Sequence, residues 1–176
     1  VLSLVPVVLA SRFKIALPLP FLAAIIAFIF ASIFMGEAFD FYERFWWWDL
    51  ALHGSSAVGF GIIAFLFVFM LFEGDRLAAP PIALALITFC MAVTVGAIWE
   101  VFEYGMDRTF GLNMQKSGLD DTMGDMIIDG AGALLAAVTA YFYLKDQNSG
   151  MLSHSIRQFI AMNRRLYQKS KHRLRK

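Results

Sequence analysis

Seven acidic side chains and one histidine lie at helical spacing near the ends of apolar segments. They form three sets with gaps of three or four residues: Asp49 and His53; Glu100, Glu103 and Asp107; and Asp121, Asp125 and Asp129. Side chains at this spacing share one face of a helix. Ionisable groups in a membrane segment are costly, and they usually face a partner, a cavity or a ligand. The pattern therefore predicts one polar site able to bind a cation or to move a proton.

Charge balance limits how this site can exist. With Asp120 the acidic group has eight members, and the basic residues predicted on the same side are Arg44, Arg108 and Lys116. Carboxylates held close together cannot all ionise unless a cation joins them, so the site needs either a bound metal or shared protons. Asp129 lies about 12 Å below Asp121 along a helix. A lone charged Asp at that depth costs roughly 2.5–3.5 kcal/mol, so it must be protonated, paired or metal-bound.

The residue types favour a divalent cation. Oxygen-dominated ligation suits Mg²⁺, Mn²⁺ or Ca²⁺ better than zinc or copper. The predicted metal ligands are the four carboxylates of Glu100, Glu103, Asp121 and Asp125. His53 is predicted to be the general acid or base, positioned by Asp49 one helical turn earlier.

Each of these residues also has a structural interpretation. The acids and His53 can form a buried hydrogen-bond network without any ligand. Asp120 and Asp121 follow Ser117-Gly118 and can cap the start of a helix, where acids meet the helix dipole favourably. Asp107 can be a solvated residue at a helix end.

The composition indicates a membrane protein. Of the 176 residues, 59% are hydrophobic and 16% are charged, whereas a soluble domain has about 45–50% and about 25%. An all-α polytopic membrane bundle is therefore predicted, with four full transmembrane helices, a partial N-terminal helix within residues 1–10, and a basic amphipathic C-terminal helix. An interfacial segment is the alternative for residues 1–10. The predicted spans are Leu17–Met35, Leu50–Phe72, Leu77–Tyr104 and Asp121–Leu144.

Basic residues predict the orientation. Twelve Lys and Arg residues fall on one side of the alternating topology and three on the other. Because basic residues favour the cytoplasmic side, the C-terminus is predicted to be cytoplasmic, in a bacterial inner membrane, with the acidic sets on the extracytoplasmic side. The aromatic run at residues 45–48 is interpreted as an interfacial belt, and a lipid- or quinone-binding wall is the alternative.

The C-terminal segment is predicted to be a separate element. Nine of the 15 Lys and Arg residues lie beyond Leu144, so the chain divides into a transmembrane bundle (1–144) and a basic cytoplasmic tail (145–176). A basic amphipathic helix on the anionic inner leaflet explains this tail, with membrane lipids as its partners. Docking of another membrane-protein subunit stays open, and no nucleic-acid partner is predicted.

Three motifs in successive spans carry a resemblance to a known family. They are WWD-x3-H, which holds Asp49 and His53, then WE-x2-EY, and then DDT-x2-DM followed by GAGALL. In this order they resemble the uncharacterised bacterial inner-membrane family typified by YjdF. The resemblance runs from about Asp40 to Leu144, and it implies a shared site on the acids and histidine. The family also carries an acid three residues before Asp121, where this chain has Gly118.

A more distant likeness is to the VanZ-like membrane proteins, which are linked to glycopeptide resistance. Their last motif, Asp-x3-Asn-x2-Gly, is matched by Asp125, Asp129 and Gly132, with Asp in place of Asn. Glu103 stands where that family has Gln. This likeness also implies a common site.

Three functions follow from these patterns. The first is an enzyme that acts on a lipid-linked or membrane-soluble substrate, with a cation and His53 at the extracytoplasmic interface. The second is a non-catalytic subunit or assembly factor of a larger membrane complex. The third is an ion or proton pathway, which is disfavoured because the inner half of the spans carries no acids.

Overall fold

The computed structural model describes residues 5–72, 79–145 and 150–167. This part of the chain is helical and contains no strand. Residues 73–76 between the second and third predicted spans, the predicted start of the third span at residue 77 and the end of the tail lie outside it. The helices are α1 (Val5–Arg12), α2 (Leu19–Ile29), π1 (the π-helix Phe30–Ala38), α3 (Phe41–Arg44), α4 (Trp48–Leu71), α5 (Pro81–Phe110), α6 (Leu119–Leu144), α7 (Met151–Met162) and α8 (Arg164–Tyr167).

Four helices are long and apolar enough to cross a membrane, so the predicted fold class is confirmed. They are Leu19–Ala38 (α2 with π1), Trp48–Leu71, Pro81–Phe110 and Leu119–Leu144. The helices α4, α5 and α6 pack on one another. The first span is peripheral. In its apolar 18-residue stretch 6% of the residues are buried, compared with 44% in the corresponding stretch of α4 and 50% in that of α6. It reaches the bundle mainly where π1 touches α4.

Small residues bring α4 and α6 together. A Cβ added to Gly132 would lie 2.6 Å from the carbonyl oxygen of Gly54, and a Cβ on Gly61 would collide with Ala136. Close approach of this kind is the usual role of small residues between membrane helices. Gly59 differs, because nothing lies within 4 Å of its added Cβ.

The helix α5 runs six residues past its predicted end at Tyr104. It ends at Gly111, whose φ of +68° suits a glycine C-cap. The Asp107 carboxylate accepts hydrogen bonds from the backbone N–H groups of Met114 (2.7 Å) and Gln115 (2.9 Å). Asp107 therefore fixes the loop between α5 and α6 and is not the merely solvated end residue of the structural interpretation.

The C-terminal helices pack on the bundle. Phe159 of α7 lies against Phe21, with ring centroids 5.5 Å apart, and the Tyr167 hydroxyl donates a hydrogen bond to the Leu66 carbonyl. Buried Asn163 bonds both backbone groups of Ala16, at 2.7 Å each. The helix α7 thus packs on α2, α4 and α6, and α8 packs on α4. The division of the chain at residue 145 stays a prediction. The basic side chains of Arg157, Arg164 and Arg165 stay exposed.

Candidate metal centre

Three helix ends meet at one end of the bundle, which we call the acidic end. It consists of the first turns of α4, the last turns of α5 and the first turns of α6. Short connections alternate the direction of these helices, so residues far apart in sequence come together there. The predicted site residues gather at this end, from Asp49 on α4 through Glu103 on α5 to Asp121 on α6.

The His53 imidazole lies among four carboxylates. Its Nδ1 is 3.4 Å from Oδ2 of Asp129 and 3.9 Å from Oε1 of Glu100. Its Nε2 is 4.0 Å from Oδ1 of Asp49 and 4.0 Å from Oδ2 of Asp125. Only the contact with Asp129 is within hydrogen-bond distance. Each ring nitrogen therefore faces two carboxylates, and three of the four carboxylates lie slightly too far away for a hydrogen bond.

The candidate ligands divide into two triads. The first is His53, Glu100 and Glu103, all buried, and the second is Asp49, Asp121 and Asp125. Within each triad the potential ligand atoms lie within 4.8 Å of one another. Of the four carboxylates predicted to bind one metal, Glu100 and Glu103 belong to the first triad, and Asp121 and Asp125 belong to the second. The residues predicted to be catalytic complete them, His53 in the first triad and Asp49 in the second. The ligand and catalytic assignments stay predictions.

Several buried oxygens in this cluster have no hydrogen-bond partner among the described residues. Glu100 is 4% exposed, and neither of its carboxylate oxygens makes a well-aligned hydrogen bond, although the Thr122 hydroxyl lies beside them. Oδ1 of Asp129 also has no partner. Glu103 differs, because its Oε1 accepts a hydrogen bond of 2.8 Å from the Trp99 indole. Unsatisfied buried polar atoms are uncommon and costly, so each one requires a physical reason.

Two residues outside the predicted ligand and catalytic sets complete the acidic end. Asp129, which the sequence placed in the acidic group without a ligand or catalytic role, is the closest partner of His53. Lys116 lies 3.9 Å from Oδ2 of Asp49, and it donates a hydrogen bond of 3.0 Å to the Tyr42 carbonyl. Burial raises the pKa of the Tyr42 phenol above its usual value. The charge count had placed Lys116 on this side, but nothing in the sequence indicated its partner.

Glycines explain two further features of the site. The Asp129 side chain lies against Gly96, where an added Cβ would come 2.9 Å from its Cγ. Gly118 caps α6 with φ +68° and ψ −122°, a conformation that side-chain-bearing residues rarely adopt. The backbone conformation at position 118 therefore explains why this chain has glycine there, where the resembled family has an acid. No side chain caps α6, so the prediction that Asp120 or Asp121 caps it is wrong, but both lie in its first turn, where acids meet the helix dipole favourably as predicted.

A cavity of about 890 Å³ opens between the first span and the α4–α5 pair. It reaches the acidic end, where Glu37, His53 and Glu103 line it, and its walls include the aromatic rings of Trp99 and Phe102. The aromatic run at residues 45–48 does not line it, so this run is not the wall of this cavity. A second cavity of about 760 Å³ on another face of α5 reaches Glu100.

Comparisons with known proteins agree with this membrane architecture. A Thermotoga maritima protein, described as an uncharacterized protein, is 31% identical over 113 residues, which cover 64% of this chain and 57% of that protein. The match thus spans less than two thirds of that relative. No solved structure matches the chain. The likenesses to YjdF and to the VanZ-like proteins stay predictions. The family described as predicted membrane protein (DUF2238) matches residues 1–146, and the chain belongs to this family.

Proposed function

We propose that this membrane protein binds divalent cations at its acidic end, and that it uses this centre to act on a lipid-linked or membrane-soluble substrate. The observation that carries the proposal is the state of Glu100. Its carboxylate is 4% exposed and neither oxygen accepts a well-aligned hydrogen bond in the described chain; its polar neighbours are the Thr122 hydroxyl and, at 3.9 Å, Nδ1 of His53. A buried charge without partners is strongly unfavourable, and a cation is the partner that a carboxylate triad accepts best.

The spacing of the cluster argues against a purely structural network. Such a network is stable when every polar atom is bonded, and a partly satisfied one is worse than an apolar core. Here three of the four His53–carboxylate separations are 3.9–4.0 Å, too long for hydrogen bonds. Oxygens on opposite sides of a Mg²⁺ or Ca²⁺ ion lie about 4.0–5.2 Å apart, which is twice the metal–oxygen distance. The potential ligand atoms of each triad lie within 4.8 Å of one another, close enough to surround one such ion.

The donor set indicates which ions the site would take. Five of the six triad ligands are carboxylates and one is imidazole. Mg²⁺, Mn²⁺ and Ca²⁺ suit such a set better than zinc or copper. A divalent cation held there would supply Lewis-acid polarisation of a substrate oxygen.

The role proposed for His53 is proton transfer. Its Nε2 faces Asp49 and Asp125 at 4.0 Å each, so we assign the transferred proton to Nε2, which leaves Nδ1 to face Glu100 of the first triad. We assign Asp49 the role of holding the ring in place, because it lies one helical turn earlier on α4. Substrate access is supported by the 890 Å³ cavity, which exposes one side of His53 to a ligand arriving between the helices.

The proposed setting is a bacterial inner membrane, with the acidic end extracytoplasmic and the C-terminus cytoplasmic. The positions of basic residues support this orientation. Lys14, Lys145 and Arg157 lie at the end of the bundle opposite the acidic end, whereas Arg44 and Arg108 lie beside it. With the exposed basic face of α7 and α8 on the anionic inner leaflet, membrane lipids would be the partners of the tail.

The test of this function is ion binding by the purified protein. We expect Mn²⁺ to bind in equilibrium dialysis with up to two ions per chain, one for each triad. Glu100→Ala should weaken the first site at least about tenfold, because a buried ligand is lost. Glu43→Ala is the matched control, since Glu43 is an exposed acid outside both triads. Absence of binding, or equal binding by both variants, would refute the proposal and favour a non-catalytic subunit with a structural acid network.

A further inference from the structure

The 890 Å³ cavity has a polar end and an apolar body. Its polar end is lined by the carboxylates of Glu37, Asp49, Glu103 and Asp129, and by Lys116 and His53. Its body is lined by apolar side chains from three helices, among them Phe28, Ile33, Phe60 and Ile98. Along α5 the lining extends from Ala92 to Glu103, which is about 16 Å at 1.5 Å per residue. The shape and lining suit an elongated molecule with one charged end.

The cavity has its own carboxylates, distinct from the proposed metal ligands. Glu37 and Asp129 belong to neither triad, yet both line the cavity. Asp129 is 3% exposed and its Oδ1 has no hydrogen-bond partner in the described chain. Gly96, which also lines the cavity, has no side chain to cover the Asp129 carboxylate. The buried Asp129 side chain, one of whose oxygens has no partner, therefore lines a space that a ligand can occupy.

The charges of the polar end are unbalanced. Four carboxylates face the cavity there, against the Lys116 ammonium and the His53 imidazole, whose Nδ1 lies 3.4 Å from Oδ2 of Asp129. That ammonium already lies beside Asp49, at 3.9 Å, and donates a hydrogen bond to the Tyr42 carbonyl. A positively charged group on the ligand would complement the remaining acids, whereas an anionic head group would be repelled. The aromatic rings of Tyr42, Trp99 and Phe102 in the lining are further suitable neighbours for an organic cation.

The position of the cavity indicates where such a ligand comes from. One of its walls is the first span, in which 6% of the residues of the apolar stretch are buried. This span meets the bundle mainly where its π1 segment contacts α4. A hydrocarbon chain in the bilayer can therefore slide between this peripheral span and α4–α5 without crossing a polar barrier. The ligand class that satisfies all these observations is a membrane amphiphile.

We infer that this cavity binds a cationic amphiphile from the membrane, with its hydrocarbon chain along the apolar body and its ammonium group beside Asp129 and Glu37. This ligand is additional to the divalent cations of the proposed function. Both sites lie at the acidic end of the bundle, and one substitution can therefore affect both. For this reason amphiphile binding and metal binding are measured in separate experiments.

The test compares amphiphiles that share one dodecyl chain. The purified full chain, in a neutral maltoside detergent, receives dodecyltrimethylammonium, dodecyl phosphate or a dodecyl polyol at equal mole fraction in the micelle. Native mass spectrometry counts the molecules bound per chain. We expect the trimethylammonium compound to bind at least about tenfold more tightly than the other two, since a partly buried charge pair is worth that much. Tetramethylammonium, which lacks the chain, should not compete at the same concentration.

Two pairs of variants locate the binding. Asp129→Asn and Glu37→Gln should weaken it, whereas the exposed control Glu43→Gln should not. Val95→Trp fills the cavity from a position that is 37% exposed, and Ile63→Trp is the matched control at a lipid-facing position outside the lining. Loss of binding in Val95→Trp alone supports the inference even if Asp129→Asn fails to fold. Equal binding of all three head groups, equal competition by tetramethylammonium, or unchanged binding by Val95→Trp would overturn it. Mn²⁺ dialysis on the same samples shows separately whether the metal proposal holds.

Discussion

Replacing Gly96 with alanine tests the packing that holds Asp129 beside His53. An added Cβ would meet the Asp129 side chain, with Cγ at 2.9 Å and Cβ at 3.2 Å, and the oxygen Oδ2 is closer still. The same Oδ2 is 3.4 Å from Nδ1 of His53. The methyl group can be accommodated only if the carboxylate leaves the imidazole or if α5 moves away from α6.

The size of the effect follows from a matched pair of glycines. Overpacking of a close contact costs about 1–3 kcal/mol. Alanine in place of glycine within a helix gains about 1 kcal/mol, and Gly59→Ala shares that gain. Nothing lies within 4 Å of a Cβ at Gly59, so no overpacking offsets it there. The propensity gain cancels in the comparison, and Gly96→Ala should be less stable than Gly59→Ala by about 1–3 kcal/mol.

The assay is reversible unfolding of both purified variants in mixed micelles, combined with Mn²⁺ dialysis. Gly96→Ala should lose both stability and cation affinity, because the displaced carboxylate disturbs the His53 environment. Gly59→Ala should keep the affinity of the parent chain. Equal stability of the two variants would refute the α5–α6 packing described here, and normal Mn²⁺ binding by a destabilised Gly96→Ala would uncouple Asp129 from the metal centre.

Three further changes test other parts of the structure. Asp107→Ala removes the acceptor of two backbone N–H groups and should lower the free energy of unfolding by about 1–3 kcal/mol, measured by thermal unfolding. The control Asp120→Ala, at an exposed position, should change the free energy of unfolding by less than about 0.5 kcal/mol. Equal effects of the two substitutions would contradict the role of Asp107 in fixing the loop between α5 and α6. Asn163→Ala should cost about 1–3 kcal/mol, because it leaves two Ala16 backbone groups unpaired; an unchanged midpoint would show that the tail does not dock there. Burial raises the Tyr42 pKa above 10.0, so the folded state favours the neutral phenol. That contribution is complete below pH 10.0 and is lost as pH rises through the raised pKa, so stability between about pH 8 and about pH 11 should fall more in the parent chain than in Tyr42→Phe; parallel curves would refute it.

The sequence predicted the bundle well because its signal is local. A run of about 20 apolar residues can hardly be anything but a membrane helix. The second span, predicted as Leu50–Phe72, is Trp48–Leu71, and the last, predicted from Asp121, begins at Leu119. The third extends six residues further than predicted, because its end is set by side-chain bonds to a loop and by Gly111, not by hydropathy.

The candidate site was predictable in its residue types but not in its arrangement. Helical spacing and depth placed His53 and the acids at one membrane face. Which acid meets which nitrogen depends on helix rotation and on small contacts, such as that of Gly96 with Asp129, and sequence periodicity does not encode these. The cavity was likewise unpredictable, since it exists only because the first span packs loosely on α4.

The docking of the tail was not expected either. An amphipathic basic helix fits a leaflet surface and a bundle base equally well, because both offer apolar contact on one side and water on the other. The deciding features are specific partners, namely Phe21 for Phe159 and the Ala16 backbone for Asn163.

The central claim is that Glu100 is a ligand of a bound divalent cation. An experimental map of the protein prepared with Mn²⁺ tests it most directly, because the anomalous signal identifies the ion. The account predicts a peak about 2.0–2.6 Å from a Glu100 carboxylate oxygen, with Glu103 and His53 around it. A map with no peak there, and with ordered water or protein groups bonded to both Glu100 oxygens, would contradict it.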